Sequence, residues 1–210
     1  ILISRNPQKL QETQKELNDK LKNKVEVRTV AIDFSNFDAK ARASVTDAIN
    51  GLDVGVLINN VGISYPFTKY FHELSEENVE QLMTLNVNST TWMTKIVIPG
   101  MVERKRGAIV NIGSAAGVTV SPLLAQYGAA KSYIAMFSKA LHAEYSKFNI
   151  HVQCQVPLFV TTKLAKIRNS SLFVPTPNGY ARAAVRAIGY EPLTSPYWSH
   201  ALQMWLMDRL

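Results

Sequence analysis

Short apolar runs alternate with long helix-forming stretches along this chain, and that alternation limits what it can fold into. Ile1-Leu2-Ile3, Val25 to Phe34, Asp53 to Asn59, Gly107 to Ser114 and Ile150 to Val156 each read as a strand. Between them lie helical patterns, such as Leu10, Thr13, Leu17 and Leu21 after the first run and Ala130, Ile134, Phe137, Leu141 and Tyr145 before the last. Strands kept apart by helices pair in parallel, with the helices crossing over the sheet. The expected fold is therefore α/β, a parallel sheet in one domain over residues 1–210. Its 210 residues suffice to bury a core of that kind.

Local signals place the element ends. Asn6 and Pro7 suit an N-cap and a first helical position, and Gly51 suits the residue just past a helix ending near Asn50. Ser75-Glu76-Glu77-Asn78 opens a long helix with acids in its first turn, where the helix dipole favours them. Thr176-Pro177 opens another, running to about Ile188 before Gly189. Residues 164–210 read as a substrate lid, Leu164 to Val174, and a carboxyl-terminal segment. From Pro192 that segment is apolar and aromatic, and two readings stand: it completes the core, or it lies on a membrane surface.

Composition narrows the function classes. With 47% hydrophobic and 19% charged residues the chain is globular rather than disordered. No run of eighteen apolar residues occurs, so no membrane span is expected within this stretch. Cys154 is alone in an apolar strand, which suits a buried thiol and a reducing compartment. His72, His142, His151 and His200 lack metal-ligand spacing, so no metal site is proposed. The formal charge of +7 suits an anionic ligand or membrane surface. It does not argue for nucleic acid, because Lys9 to Lys24 alternate with Glu12, Glu16 and Asp19 on a solvated helix face.

The candidate chemistry sits in Tyr127-Gly128-Ala129-Ala130-Lys131. Residues four apart share a helix face, so the Tyr127 phenol and the Lys131 ammonium form a pair, and a nearby cation is expected to lower the phenol's pKa toward acid–base work. Gly128, Ala129 and Ala130 leave the surface between them bare. Ser114 ends an apolar strand, and the carboxyl ends of parallel strands are where ligands bind. A hydroxyl there can hold a substrate carbonyl while Tyr127 protonates it. Asn86 stands in mid-helix, an unfavourable place for asparagine, with Asn88 as a neighbouring rival.

Ser114, Tyr127-x-x-x-Lys131, Asn59-Asn60-Val61-Gly62 and Asn86 together resemble the active-site set of the short-chain dehydrogenase/reductase superfamily, and the likeness runs over nearly the whole chain. The resemblance implies a doubly wound parallel sheet of Rossmann type and catalytic roles for Asn86, Ser114, Tyr127 and Lys131. Asn86 would stand at a helix kink, its backbone carbonyl relaying protons through water to Lys131. Cofactor contacts are implied for Asn59, Asn60, Val61, Gly62, Tyr127, Lys131, Pro157, Val160 and Thr162. Asp33 resembles the acid that bonds the adenine amine, although it equally suits a cap of the following turn. Arg5, near the end of the second strand, resembles the arginine that accepts the adenosine 2′-phosphate, so NADPH is expected over NADH. The superfamily's first strand and its Gly-x-x-x-Gly-x-Gly loop are not in this sequence; the resemblance implies roughly thirty or more residues upstream, one βα unit. Without that strand, those at Ile1 and Asp53 have no shared neighbour.

Within the superfamily, the closest likeness is to very-long-chain 3-oxoacyl-CoA reductases and 17-beta-hydroxysteroid dehydrogenases of the endoplasmic reticulum. It rests on Asn59 to Gly62, Pro99-Gly-Met101, Gly107 to Ser114, Gln155 to Lys163 and Gly179 to Tyr190. The implied reaction is NADPH-dependent reduction of a long-chain 3-oxoacyl-CoA in fatty acid elongation. A steroid or other lipid carbonyl is the alternative substrate, and a non-catalytic NADP(H)-binding scaffold the alternative of another class. The likeness also implies a membrane-attached enzyme, held by segments outside this stretch, with its active site facing the cytosol. Other elongation enzymes and a homodimer formed through the Tyr127 helix are the implied partners.

Overall fold

Parallel pairing appears throughout, in two separate sheets. In the computed structural model, which describes all residues except Lys163, Asp208 and Leu210, the chain forms two compact units, Ile1–Leu52 and Asp53–Leu210. The first pairs β1 (Leu2–Ser4) with β2 (Thr29–Ala31). The second carries four strands in the order β3 (Val56–Asn59), β4 (Gly107–Ile112), β5 (Ile150–Gln155) and β6 (Leu193–Thr194), all parallel. Among the described residues no strand joins β1 to β3, as the sequence reading expects without a shared neighbour.

In the first unit, α1 (Pro7–Leu21) starts as its cap predicts: the Asn6 side chain accepts the Lys9 N–H at 2.9 Å, and Pro7 follows. Its apolar stripe is only partly covered. Leu10 is buried, Leu17 half-buried, and Thr13 and Leu21 lie in the open. The reason is length: three-residue strands make a sheet about 10 Å long, under a helix of about 22 Å. The strand expected from Val25 to Phe34 shrinks to β2 because Asp33 caps a 3₁₀ turn at Phe34–Asn36. α2 (Ala39–Ile49) ends before Gly51, whose φ of +71° is the left-handed geometry expected there.

The second unit packs α3 (Glu76–Met83), α4 (Ser89–Arg104), α5 (Ala125–Tyr145), α6 (Pro177–Arg186) and α7 (Trp198–Met207) around its sheet. Ile109, Val152, Cys154 and Ile134 are at most 1% exposed and define the core between β4, β5 and α5. β3 departs from the fully buried strand expected of its sequence. Leu57 and Asn59 face inward, whereas Val56 and Ile58 remain 51% and 54% exposed. α4 covers one face of β3; in a doubly wound sheet another βα unit covers the opposite face.

The carboxyl-terminal segment completes the core on one side, as one of its two readings expects. β6 extends the sheet beside Cys154 and Gln155, and α7 buries Ser199 and His200, with Met204 packed against the Cys154 core. Trp198, Leu202, Trp205 and Leu206 on the same helix are exposed. One side completes the core and the other is an open apolar surface.

Candidate active site

β4 delivers Ser114 two residues beyond its last rung. Ser114 opens the 3₁₀ turn Ala115–Gly117, its Oγ accepting the Ala116 N–H at 3.3 Å. That turn lies backbone to backbone on α5. A Cβ at Gly128 would come 2.8 Å from the Ala116 carbonyl, and one at Gly117 would collide with the backbone of Lys131. The surface expected to be bare at Gly128 is therefore filled by the protein's own turn. This contact brings the Ser114 hydroxyl to the Tyr127 phenol, which it hydrogen-bonds. Tyr65 seals the same helix start, its hydroxyl accepting the Gln126 N–H at 2.9 Å.

Lys131 is 7% exposed, and its Nζ donates to the Ile112 carbonyl at 2.9 Å, 5.9 Å from the centre of the Tyr127 ring. Burial pulls its pKa down to about 8, against a small opposing effect of Cys154. Tyr127 corrects the sequence reading. Burial raises its pKa above the ordinary tyrosine value, and the Ser114 hydrogen bond only partly offsets this. The ammonium is directed at Ile112, and desolvation of the phenolate prevails.

Asn86 sits where a π turn, Thr84–Asn88, separates α3 from α4. Such turns insert a residue into the helical ladder and recur at functional sites. Asn86 is 1% exposed; its Nδ2 donates to the Leu82 and Ile63 carbonyls at 3.0 Å each, and its Oδ1 accepts the Ile63 N–H at 3.2 Å. Asn88 is exposed, which separates the two candidates. The Asn86 side chain also explains Gly62: a Cβ there would stand 2.5 Å from Asn86 Oδ1 and 3.3 Å from Lys131 Nζ. Gly62 thus lets Asn86, Lys131 and the loop after β3 converge.

Asn59 is committed to the interior. Its Nδ2 donates to Asn111 Oδ1 at 2.8 Å and Thr94 Oγ1 at 3.2 Å, and Asn111 donates to Ser138 on α5 at 2.9 Å. This network ties β3, β4, α4 and α5 together, leaving ligand contact to the backbone of Asn59 rather than its amide. Asn111 and Ser138 were not singled out from the sequence, although a polar residue inside the run Ala108-Ile-Val-Asn-Ile112 was the available signal. Asn60 is exposed and Val61 half-buried in the loop that follows.

The segment after β5 is fastened beside Ser114, since Ala115 donates its N–H to the Pro157 carbonyl at 3.0 Å. Val160 is half-buried; Thr162 accepts the Ala165 N–H at 3.1 Å, and Lys163 of the same motif lies outside the described residues. Arg5 and Asp33 belong to the first unit. Asp33 Oδ1 accepts both the N–H and hydroxyl of Ser35, at 2.9 and 2.7 Å. Those bonds, with a smaller contribution from Arg5, hold its carboxyl below the usual range. The turn-capping reading describes what this side chain does, and its second oxygen is the one that remains for an adenine amine.

The donor set fits a nicotinamide nucleotide. A lysine ammonium has three donors, so the bond to Ile112 leaves capacity for ribose hydroxyls beside the Ser114 and Tyr127 hydroxyls. Among the described residues no cluster of His, Cys, Asp and Glu is suited to a metal ion.

Known proteins resemble this chain in sequence and fold. The family described as short chain dehydrogenase matches residues 1–172. A very-long-chain 3-oxoacyl-CoA reductase-like protein of Arabidopsis thaliana is 43% identical over 213 residues, covering 99% of this chain and 67% of that protein. The very-long-chain 3-oxoacyl-CoA reductase of Homo sapiens is 40% identical over 212 residues, covering 100% and 67%. Inactive hydroxysteroid dehydrogenase-like protein 1 of Homo sapiens is also 40% identical, over 207 residues, covering 97% and 62%. Among solved structures, a short-chain dehydrogenase from Sphingobium yanoikuyae in complex with NADPH superposes with a TM-score of 0.83 at 27% identity, covering 99% of this chain and 82% of that one.

Proposed function

The chain belongs to the short-chain dehydrogenase family and is a nicotinamide-dependent oxidoreductase, and from that premise we propose that it reduces long-chain 3-oxoacyl-CoA to 3-hydroxyacyl-CoA with NADPH, in fatty acid elongation. One observation carries the reading: Ser114 is hydrogen-bonded to Tyr127 beside the buried Lys131, at the carboxyl end of β4.

When bound, NADPH supplies a hydride to the carbonyl carbon. Ser114 donates to the carbonyl oxygen and fixes its orientation. Tyr127 gives its proton to the same oxygen as negative charge grows there, so hydride and proton together make the hydroxyl. Lys131, charged below a pH of about 8, stabilises the phenolate left behind and holds the ribose hydroxyls. Asn86, set in the π turn, positions the loop at Gly62 and organises proton return toward Lys131. Arg5, exposed in the first unit, supports NADPH over NADH by offering a cation to the 2′-phosphate.

A non-catalytic reading has one support, the inactive relative. Tyr127, Lys131 and Ser114 are all present, Ser114 bonded to Tyr127 and the Lys131 ammonium 5.9 Å from the Tyr127 ring centre, which favours turnover. A steroid carbonyl would use the same groups on another acceptor. We further propose that the protein works at the endoplasmic reticulum membrane with its active site toward the cytosol, its partners being other elongation enzymes and a second copy packed along α5. The open apolar side of α7 supports a membrane surface; among the described residues no helix is long and apolar enough to cross one. NADPH oxidation by the full-length solubilised protein, offered a long-chain 3-oxoacyl-CoA and a 17-keto steroid side by side, tests the reading. Turnover of the acyl-CoA is the expected result, and turnover of the steroid alone would overturn it.

A further inference from the structure

His200 is a fully buried titratable group outside the proposed chemistry. Its Nδ1 accepts the Leu158 N–H at 3.3 Å and its Nε2 bonds the Phe159 carbonyl at 3.1 Å. A carbonyl only accepts, so the proton belongs on Nε2, and Nδ1 is free to accept because the ring is neutral. The ring also bonds the backbone of Phe173. Leu158 and Phe159 lead into the lid, Leu164 to Val174, and Phe173 stands at its far end; across its base the Thr161 N–H donates to the Pro175 carbonyl at 3.1 Å. At the lid's far side Lys166 donates to the Pro66 carbonyl at 2.6 Å and lies 3.7 Å over the Phe67 ring.

We infer that His200 is a positioning residue: from α7 it clamps the segment leading into the lid and the lid's far end in one neutral tautomer, and thereby holds Pro157 against the turn that carries Ser114. The chain of contacts is short. His200 holds Leu158, the neighbouring Pro157 carbonyl accepts the Ala115 N–H, and Ala115 follows Ser114. Among the described residues the titratable groups facing the ring are two phenols, Tyr180 from α6 at 5.9 Å and Tyr197 at 5.3 Å between centroids. Protonation turns Nδ1 into a donor facing the Leu158 N–H, so the clamp opens in acid. Burial lowers the His200 pKa, with the Phe159 and Phe173 carbonyls opposing it. The clamp therefore contributes fully above the ordinary histidine value of about 6.5 and is lost as pH falls through the depressed folded value.

Only the kinetic arm of the test rests on the proposed reductase activity. In the full-length protein, His200→Phe and His200→Gln are compared with wild type by hydrogen exchange of residues 157–175 and by kinetics. His200→Phe is expected to raise lid exchange by about tenfold or more while β4 and β5 stay protected. His200→Gln, which can accept and donate, is expected to restore most of that protection but not the acid-triggered opening. A rise in KM larger than the fall in kcat is expected for His200→Phe. Wild-type lid exchange in both variants, or exchange rising equally in β4 and β5, would overturn the inference. If the lid opens as expected but no acyl-CoA turns over in wild type, the substrate reading has failed and the clamp has not.

Discussion

In the first unit, α1 and α2 bury one residue each, Leu10 and Val45. In the second, α5 alone buries seven, Lys131 and Ser138 among them. Both units are strand–helix repeats in parallel register, but the strands of the first are three residues long and β4 and β5 are six. Sheet length decides how much of a helix is removed from water, and only the longer sheet can bury polar groups and hold them. That burial gives Lys131 its lowered pKa and fixes Ser114 on Tyr127. In the first unit, Arg5 and Asp33 stay at the surface, where charge can recognise a ligand but no group is tuned by desolvation.

If the contrast is right, substitutions at buried polar positions and exposed ones should differ in kind. Phenol removal apart, the largest effect is expected at Lys131. Lys131→Met should cut turnover by about 10²–10⁴-fold, read as kcat. The same change should raise stability at pH 7 by about 1–3 kcal/mol, read by denaturant unfolding, because it removes a buried charge. The sign follows from the lowered pKa. Burying the ammonium costs stability below a pH of about 8, and the cost disappears as pH rises toward the ordinary lysine value. Activity that needs the ammonium should fall over that same rise. A variant both inactive and less stable would break the comparison.

Asn111→Leu comes next. It leaves Asn59 and Ser138 short of partners in the interior and should cost about 2–3 kcal/mol in the same unfolding measurement. Arg5→Ala should weaken NADPH binding about tenfold, by titration, and leave NADH binding and stability nearly unchanged. The smallest effect is expected from Gln14→Ala, which deletes the part-buried bond from Nε2 to the Val27 carbonyl. About 0.5–1 kcal/mol is the expected loss. If Gln14→Ala cost as much as Asn111→Leu, sheet length would not be the governing difference.

Caps, strand starts and the Ser114–Tyr127–Lys131 set were legible because they depend on spacing along one or two elements. Asn6 before Pro7, Thr176 before Pro177 and Gly51 after α2 all act locally, and local chemistry is written in local sequence. What the sequence concealed depends on contacts between distant residues. The turn filling the surface at Gly128 belongs to Ala116; the reason for Gly62 is the Asn86 side chain; β6 is two residues long and exists because β5 offers an edge. The direction of the Tyr127 shift was also out of reach. Spacing shows that a lysine is near a phenol, whereas burial, which outweighs it here, is a property of the packed whole.

The most direct test of the account is a single-turnover comparison of wild type and Tyr127→Phe in the full-length protein. Both would be preloaded with NADPH and mixed with a long-chain 3-oxoacyl-CoA, while nicotinamide absorbance and NADPH affinity are followed. The account predicts unchanged NADPH affinity and a loss of at least about a thousandfold in the rate of absorbance decay. Decay at the wild-type rate in Tyr127→Phe would contradict it, because the proton would then come from a group other than the phenol held by Ser114.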